Sequence, residues 1–199
     1  MFPFWALMLL LMCYLIGALP FGQWVGRRAG VDLSKQGSGN TGAANAARIL
    51  GMKAGLTVLA LDAAKGVVAV WLAYFALLPF VSVIKVIFGF TAIIGHNYSV
   101  FRRFKGGKGI ATTFGVVLAL NPKVALLAGL VWLGLVGLTR YSSVGSLAAI
   151  SAIPLLFVFY SAPWVYVGFG FAAAGLAFLR HRENLERLAQ GRELKIDEA

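Results

Sequence analysis

The stretch IATTFGVVLALNPKVALLAGLVWLGLVGLT, residues 110–139, decides the fold, because it reads either as one long tilted helix or as two short helices broken at Asn121-Pro122. A hydrocarbon core of about 30 Å takes about 20 apolar residues at about 1.5 Å each. With the break, seven apolar runs stand in the chain, at 3–25, 54–78, 80–98, 110–121, 123–139, 143–160 and 163–180, with Pro79 and Pro163 marking further turns. Positive charge chooses between the readings, since Lys and Arg concentrate on the inner side of a membrane. Seven spans with the N-terminus outside place Arg27, Arg28, Lys35, Arg48, Lys53, Arg102, Arg103, Lys105, Lys108, Arg140, Arg180, Arg182, Arg187, Arg192 and Lys195 on one side, and only Lys65, Lys85 and Lys123 remain elsewhere. A single span over 110–139 would set the basic tail opposite the first two basic loops. The sequence therefore predicts an all-α integral membrane protein of seven transmembrane helices, N-terminus outside (periplasmic) and C-terminus cytoplasmic. Short spans are tolerated where a helix begins inside protein or lines a wet mouth rather than facing lipid.

Composition agrees. The 199 residues are 60% hydrophobic and 13% charged, against about one quarter charged in a soluble domain, and mean hydropathy is +0.83. The runs follow too closely for a separate soluble unit, so 1–199 is read as a single membrane-embedded domain. The net charge of +11 is assigned to topology and anionic headgroups, with no nucleic acid as partner. Cys13 stands alone in an apolar run and is read as packing. The first run has no basic residue before Arg27, unlike a signal peptide, and Met12 precedes Cys13 where a lipidated cysteine has a small residue. The run is therefore expected to be retained as a helix.

Three polar segments interrupt the apolar runs on the inner side. The first contains Gly37-Ser38-Gly39-Asn40-Thr41-Gly42, a literal G-x-G-x-x-G, but membrane helices flank it where a dinucleotide fold needs a strand and a βαβ unit. Its glycines permit close backbone approach, the run from Ala43 reads as a helix whose N-terminus attracts an anion, and Arg48 supplies a bidentate fork. Ser38 and Asn40 are the preferred ligands; the bland alternative is a capped turn beside a topology charge. The second runs from Gly95-His96 through Arg102, Arg103 and Lys105 to Gly106-Gly107-Lys108-Gly109. It lacks P-loop spacing, so nucleotide hydrolysis is disfavoured, yet glycines at a helix start cradle phosphate and Lys108 is a point charge for it. Arg102, Arg103 and Lys105 are assigned to anionic headgroups. The third, after the last span, is a helix ending near Gly191, with His181, Asn184 and Leu188 on one face and Arg187 assigned to an ion pair with Glu183.

Inside the bilayer, Asp62 and Lys65 are spaced to pair on one helix face; a salt bridge is the main reading and a proton or ion relay the lesser one. Ser143 and Ser146 share a face beside Arg140 and either enter the site or bind helices together. Two histidines in separate segments without paired carboxylates make no metal site.

The three segments together carry a resemblance. Gly37-Ser38-Gly39-Asn40 with Gly42, Asn45 and Arg48, Gly95-His96 with Phe101, Phe104 and Gly106-Gly107-Lys108-Gly109, and His181, Glu183-Asn184, Arg187-Leu188, Gly191 and Glu193 resemble the motifs of the bacterial acyl-phosphate:glycerol-3-phosphate acyltransferase family, the PlsY type. The resemblance spans nearly the whole chain. It implies transfer of a fatty acyl group from acyl phosphate to the 1-hydroxyl of glycerol 3-phosphate, giving lysophosphatidic acid and inorganic phosphate in phospholipid biosynthesis. The place is the cytoplasmic face of the bacterial inner membrane. It implies a monomer among membrane lipids, with no cofactor and no metal. Ser38, Arg48, Lys108, His181 and Asn184 take catalytic roles, and Gly37, Gly39, Asn40, Asn45, His96, Gly106, Gly107, Gly109, Ser143 and Ser146 bind substrate. No H-x-x-x-x-D box is present, since Phe101 and Glu186 stand at that spacing from the two histidines, and the expected chemistry is substrate-assisted. The competing class is a membrane transporter for a phosphorylated solute, which would use Asp62-Lys65 as a relay and show an internal repeat; no such repeat is seen.

Overall fold

The computed structural model describes residues 3–197. Among the described residues all regular structure is helical: α1 (Phe4–Ala18), α2 (Phe21–Arg28), α3 (Ala43–Leu50), α4 (Met52–Phe75), α5 (Val81–Asn97), α6 (Ile110–Leu120), α7 (Pro122–Thr139), α8 (Ser142–Phe159), α9 (Trp164–Arg180) and α10 (Arg182–Ala189). Single 3-10 turns occupy Leu33–Lys35 and Val100–Arg102.

The break in 110–139 falls where the sequence places it. Asn121 Oδ1 accepts from the Lys123 and Val124 backbone N–H groups at 3.1 and 3.3 Å, and Pro122 opens α7, where its missing N–H costs nothing. The first run, expected continuous over 3–25, is instead two helices. Pro20 interrupts it, and the Leu19 carbonyl accepts from the Phe21 N–H and from Lys65 Nζ at 2.5 Å. The second run begins at Met52 and ends at Phe75, a little before the expected bounds. Among the described residues five segments are long and apolar enough to cross a membrane: Phe4–Arg28, Met52–Phe75, Val81–Arg102, Pro122–Thr139 and Ser142–Phe159. Ile110–Leu120 and Trp164–Arg180 are apolar but shorter; the 11 residues of α6 rise only about 16 Å.

Helix α4 is central, packed by α1, α3, α5 and α6. Small residues let the backbones approach, which is the usual basis of helix packing in lipid. A Cβ on Gly66 would lie 2.2 Å from the Thr112 carbonyl oxygen, and one on Gly115 would lie 1.9 Å from that of Ala63. Gly17 and Gly95 make the same approach between α1 and α5. Gly115→Val is therefore expected to destabilise the fold by about 1–3 kcal/mol or more through overpacking, read as a lowered unfolding midpoint in detergent. Gly134→Ala, with open space around it, should leave the midpoint in place. Outside this core, Trp71, Leu126, Leu130, Leu133 and Phe171 are exposed, an apolar exterior suited to lipid.

Candidate active site

The first polar segment is held by a buried side chain. Asn45, on the first turn of α3, accepts at Oδ1 from the Ser38 N–H (3.0 Å) and from Arg48 Nη1 (3.3 Å), and donates through Nδ2 to the Leu33 and Gln36 carbonyls (3.1 and 3.0 Å). Its hydrogen-bonding capacity is taken up within the chain. Asn45, expected to bind substrate, braces the loop that presents Ser38 and also lines the candidate cavity. Gly37, at φ +56°, belongs to the same brace: a Cβ there would lie 2.4 Å from Asn45 Oδ1. Asn40 Oδ1 accepts from the Gly42 N–H at 3.0 Å, closing the loop onto the start of α3. Arg48 reaches across to the C-terminal tail, donating to the Lys195 carbonyl at 2.9 and 3.2 Å and to the Leu194 carbonyl at 3.3 Å.

The second segment folds back over the end of α5. The Gly106 and Gly107 N–H groups donate to the Asn97 and His96 carbonyls, both at 3.1 Å, while Arg180 donates to the Gly107 and Gly106 carbonyls at 3.2 and 3.1 Å. A Cβ on Gly107 would lie 2.2 Å from His96 Nε2, and one on Gly106 would lie 2.0 Å from the His96 carbonyl oxygen. These two glycines, expected to cradle phosphate, make room for His96. Asp62 Oδ1 lies behind the imidazole, 3.6 Å from Nδ1, and Asp62 pairs with Lys65 at 2.6 Å as the spacing suggested. Gly109, at φ +80°, opens α6. The turn aims Lys108 inward, where Nζ donates to Asn184 Oδ1.

The third segment completes the wall. Asn184 Nδ2 and Ser143 Oγ donate to Glu193 Oε1 at 2.5 and 2.8 Å, and Arg187 Nε donates to Glu193 Oε2 at 2.8 Å. Arg187 thus pairs with Glu193 rather than with Glu183, because the chain turns back after Gly191 at φ +65° and returns the tail to α10. Ser146 Oγ accepts from Trp132 Nε1 at 3.2 Å. His181, 2% exposed, has Nδ1 2.8 Å from the Ala177 carbonyl; that oxygen only accepts, which puts the imidazole proton on Nδ1 and leaves Nε2 an acceptor.

Burial sets the titration of these groups. It pushes the Lys108 ammonium down to about 8, with Arg187 and Arg180 adding to the shift and Glu193 and Glu183 opposing it. Burial, helped by Lys108, pushes His181 down to about 4, so the ring is neutral near pH 7. Burial raises Glu193, but the hydrogen bonds from Asn184, Arg187 and Ser143 outweigh it and hold the carboxyl below its usual range.

Ser38, Asn40, Asn45, Arg48, His96, Lys108, Gly109, Ser143, Ser146, His181 and Asn184 all line one cavity of about 190 Å³. Of the residues singled out in the sequence, Gly37, Gly39, Gly106 and Gly107 stand behind that wall. Sequence reasoning missed Arg180, read as a topology charge though it clamps two loop carbonyls, and Glu193, quoted only as part of a motif though it joins Ser143 to Asn184. It also missed Asp62 as a lining residue.

Fold and site define a helical membrane protein with a cavity at the helix ends, apolar over much of its wall, in which Arg48 and Lys108 stand among neutral hydrogen-bonding groups and the Asp62 and Glu193 carboxylates. The chain belongs to the glycerol-3-phosphate acyltransferase family, whose model matches residues 7–191. It is 44% identical to glycerol-3-phosphate acyltransferase 2 of Moorella thermoacetica over 96% of this chain and 98% of that one. It is also 44% identical to the glycerol-3-phosphate acyltransferase of Aquifex aeolicus, over 94% and 97%. The crystal structure of PlsY (YgiH), an integral membrane glycerol 3-phosphate acyltransferase, matches in its glycerol 3-phosphate form with a TM-score of 0.88 at 41% identity, over 96% of this chain and 94% of that one. Its lysophosphatidic acid form matches with a TM-score of 0.86 at 40% identity.

Proposed function

We propose that the chain transfers a fatty acyl group from acyl phosphate to the 1-hydroxyl of glycerol 3-phosphate, releasing inorganic phosphate and lysophosphatidic acid. The observation that carries this reading is the convergence of Ser38, Arg48, Lys108, Ser143, His181 and Asn184, from the three polar segments and α8, on one cavity. Arg48, Ser38, His181 and Asn184 hold glycerol 3-phosphate, and Lys108 with the Gly109 turn takes the phosphate of the donor. The hydroxyl oxygen attacks the acyl carbon, the bond from that carbon to the phosphate oxygen breaks, and the hydroxyl proton passes to a phosphate oxygen. A substrate phosphate, with a second pKa near about 6, is a better base than His181 at about 4; His181 Nε2 orients the hydroxyl by accepting from it. Orientation and a fixed cation suffice because phosphate is a good leaving group.

The seven apolar helical segments all cross in this reading, with the N-terminus outside, the C-terminus inside and the cavity open to the cytoplasm of a bacterium at its inner membrane. The basic residues then lie on the inner side, and α6 crosses only the part of the membrane that its neighbours cover. The protein acts as a monomer in this reading. Family membership weighs against the transporter.

The test is phosphate release by purified protein in detergent, with acyl phosphate, acyl-CoA and acyl-carrier protein compared as donors. Release is expected from acyl phosphate only, dependent on glycerol 3-phosphate and matched by lysophosphatidic acid; silence from well-folded protein overturns the reading. The pH profile adds a second check. Because kcat/KM reports the free enzyme and Lys108 loses its proton as pH rises through about 8, kcat/KM should fall above that pH. Lys108→Arg, charged throughout this range, should lose the alkaline limb even at a lower rate.

A further inference from the structure

A second concavity, of about 530 Å³, lies on the far side of the 37–42 loop from the candidate active site and shares only Asn40 with it. Arg27 from the end of α2, Arg102, Arg103 and Lys105 from the α5–α6 connection, and the hydroxyl-bearing Ser34 and Thr41 line it. Topology charges need only lie on one side of a membrane; here four cations from segments distant in sequence converge on one hollow with no carboxylate in its wall. The nearby Asp32 carboxylate, which accepts from the Ser34 N–H and Oγ at 3.0 and 2.6 Å, acts electrostatically on Arg27 and Arg102, so one negative charge stands against the four positive ones. Arg102 Nη1 donates to Thr41 Oγ1 at 2.7 Å, which joins the two connections into one wall. Beside it the backbone takes left-handed φ at two successive bulky residues, Arg103 (+51°) and Phe104 (+62°), a conformation that such side chains adopt where the surroundings impose it. Phe101 and Phe104 at the rim are 55% and 61% exposed, as aromatic residues are at the level of lipid headgroups.

We infer that this hollow seats the phosphate-bearing headgroup of an anionic membrane lipid, the cations meeting the phosphate and Phe101 and Phe104 entering the adjoining lipid. A soluble phosphate offers the same charge; the exposed aromatic rim at the end of a span favours the lipid. Through Asn40, an occupied site bears on the loop that also lines the active-site cavity. The inference is read by binding, independently of the proposed activity.

The test is native mass spectrometry of the full chain released from neutral detergent, titrated with phosphatidylglycerol or phosphatidylcholine. One phosphatidylglycerol should be retained more tightly than any phosphatidylcholine. Arg103→Gln with Lys105→Gln should weaken it about thirtyfold, the strength of two basic residues at an anionic membrane surface, while phosphatidylcholine is unchanged. Arg103→Lys with Lys105→Arg keeps the charge and should keep the lipid, so a fold defect is told apart from lost charge. Equal retention of the two lipids by the wild type, equal retention of phosphatidylglycerol by wild type and glutamine variant, or loss in the charge-keeping variant each overturns the inference. Displacement of phosphatidylglycerol by inorganic phosphate at matched ionic strength assigns the hollow to a soluble phosphate and overturns the lipid.

Discussion

Lys108→Ala is expected to lower kcat/KM by about 10²–10³-fold, the usual cost of removing one charge-stabilising donor from a preorganised site, with the fold retained. The Lys108 ammonium follows two residues, Gly106 and Gly107, whose N–H groups are held by the Asn97 and His96 carbonyls and whose carbonyls are held by Arg180, and it meets one neutral oxygen, that of Asn184. Its removal leaves the helix packing untouched, because no core cluster includes it. The phosphate-release assay reads the rate, and elution volume with the unfolding midpoint reads the fold. A variant that keeps more than about a tenth of the wild-type kcat/KM would show that charge at this position does not stabilise the departing phosphate.

Gly107→Ala is expected to be nearly as damaging while adding only a methyl group. The new Cβ would lie 2.2 Å from His96 Nε2, and the imidazole has little room to retreat, with Asp62 behind it. The loop must move instead. A displacement of about 1 Å at a catalytic group costs about a hundredfold. His96→Ala opens the space, so the double variant should recover to the rate of His96→Ala alone. If His96 were itself the base, the double variant would stay inactive, and so would His96→Ala. The pair of measurements thus separates a ring that shapes the loop from a ring that moves a proton.

Much of the architecture was legible before any coordinates. Asn121-Pro122 announced the break between α6 and α7 because an Asn cap and a proline with no N–H are local chemistry. The Asp62-Lys65 pair followed from helical spacing and the cost of a lone charge in lipid. The break at Pro20 was also local, but an apolar run reads as continuous when composition alone is followed. Arg187 was misassigned because i,i+4 spacing sees only its own helix, whereas its partner Glu193 arrives after the turn at Gly191.

The sequence by itself determined that this chain is made of apolar helices with three basic, polar interruptions, and it named most of the polar side chains that line one cavity. Helix period, turn chemistry and hydropathy act over a few residues, so they are readable in order. Only the tertiary structure decided which groups line the cavity and which brace the segments behind it. Gly106, Gly107 and Arg180 support the wall, Asn45 both lines the cavity and braces its first loop, and Arg27 joins Arg102 and Lys105 in a hollow of its own. Those divisions depend on contacts between segments far apart in the chain, and spacing along the sequence carries no measure of such distances.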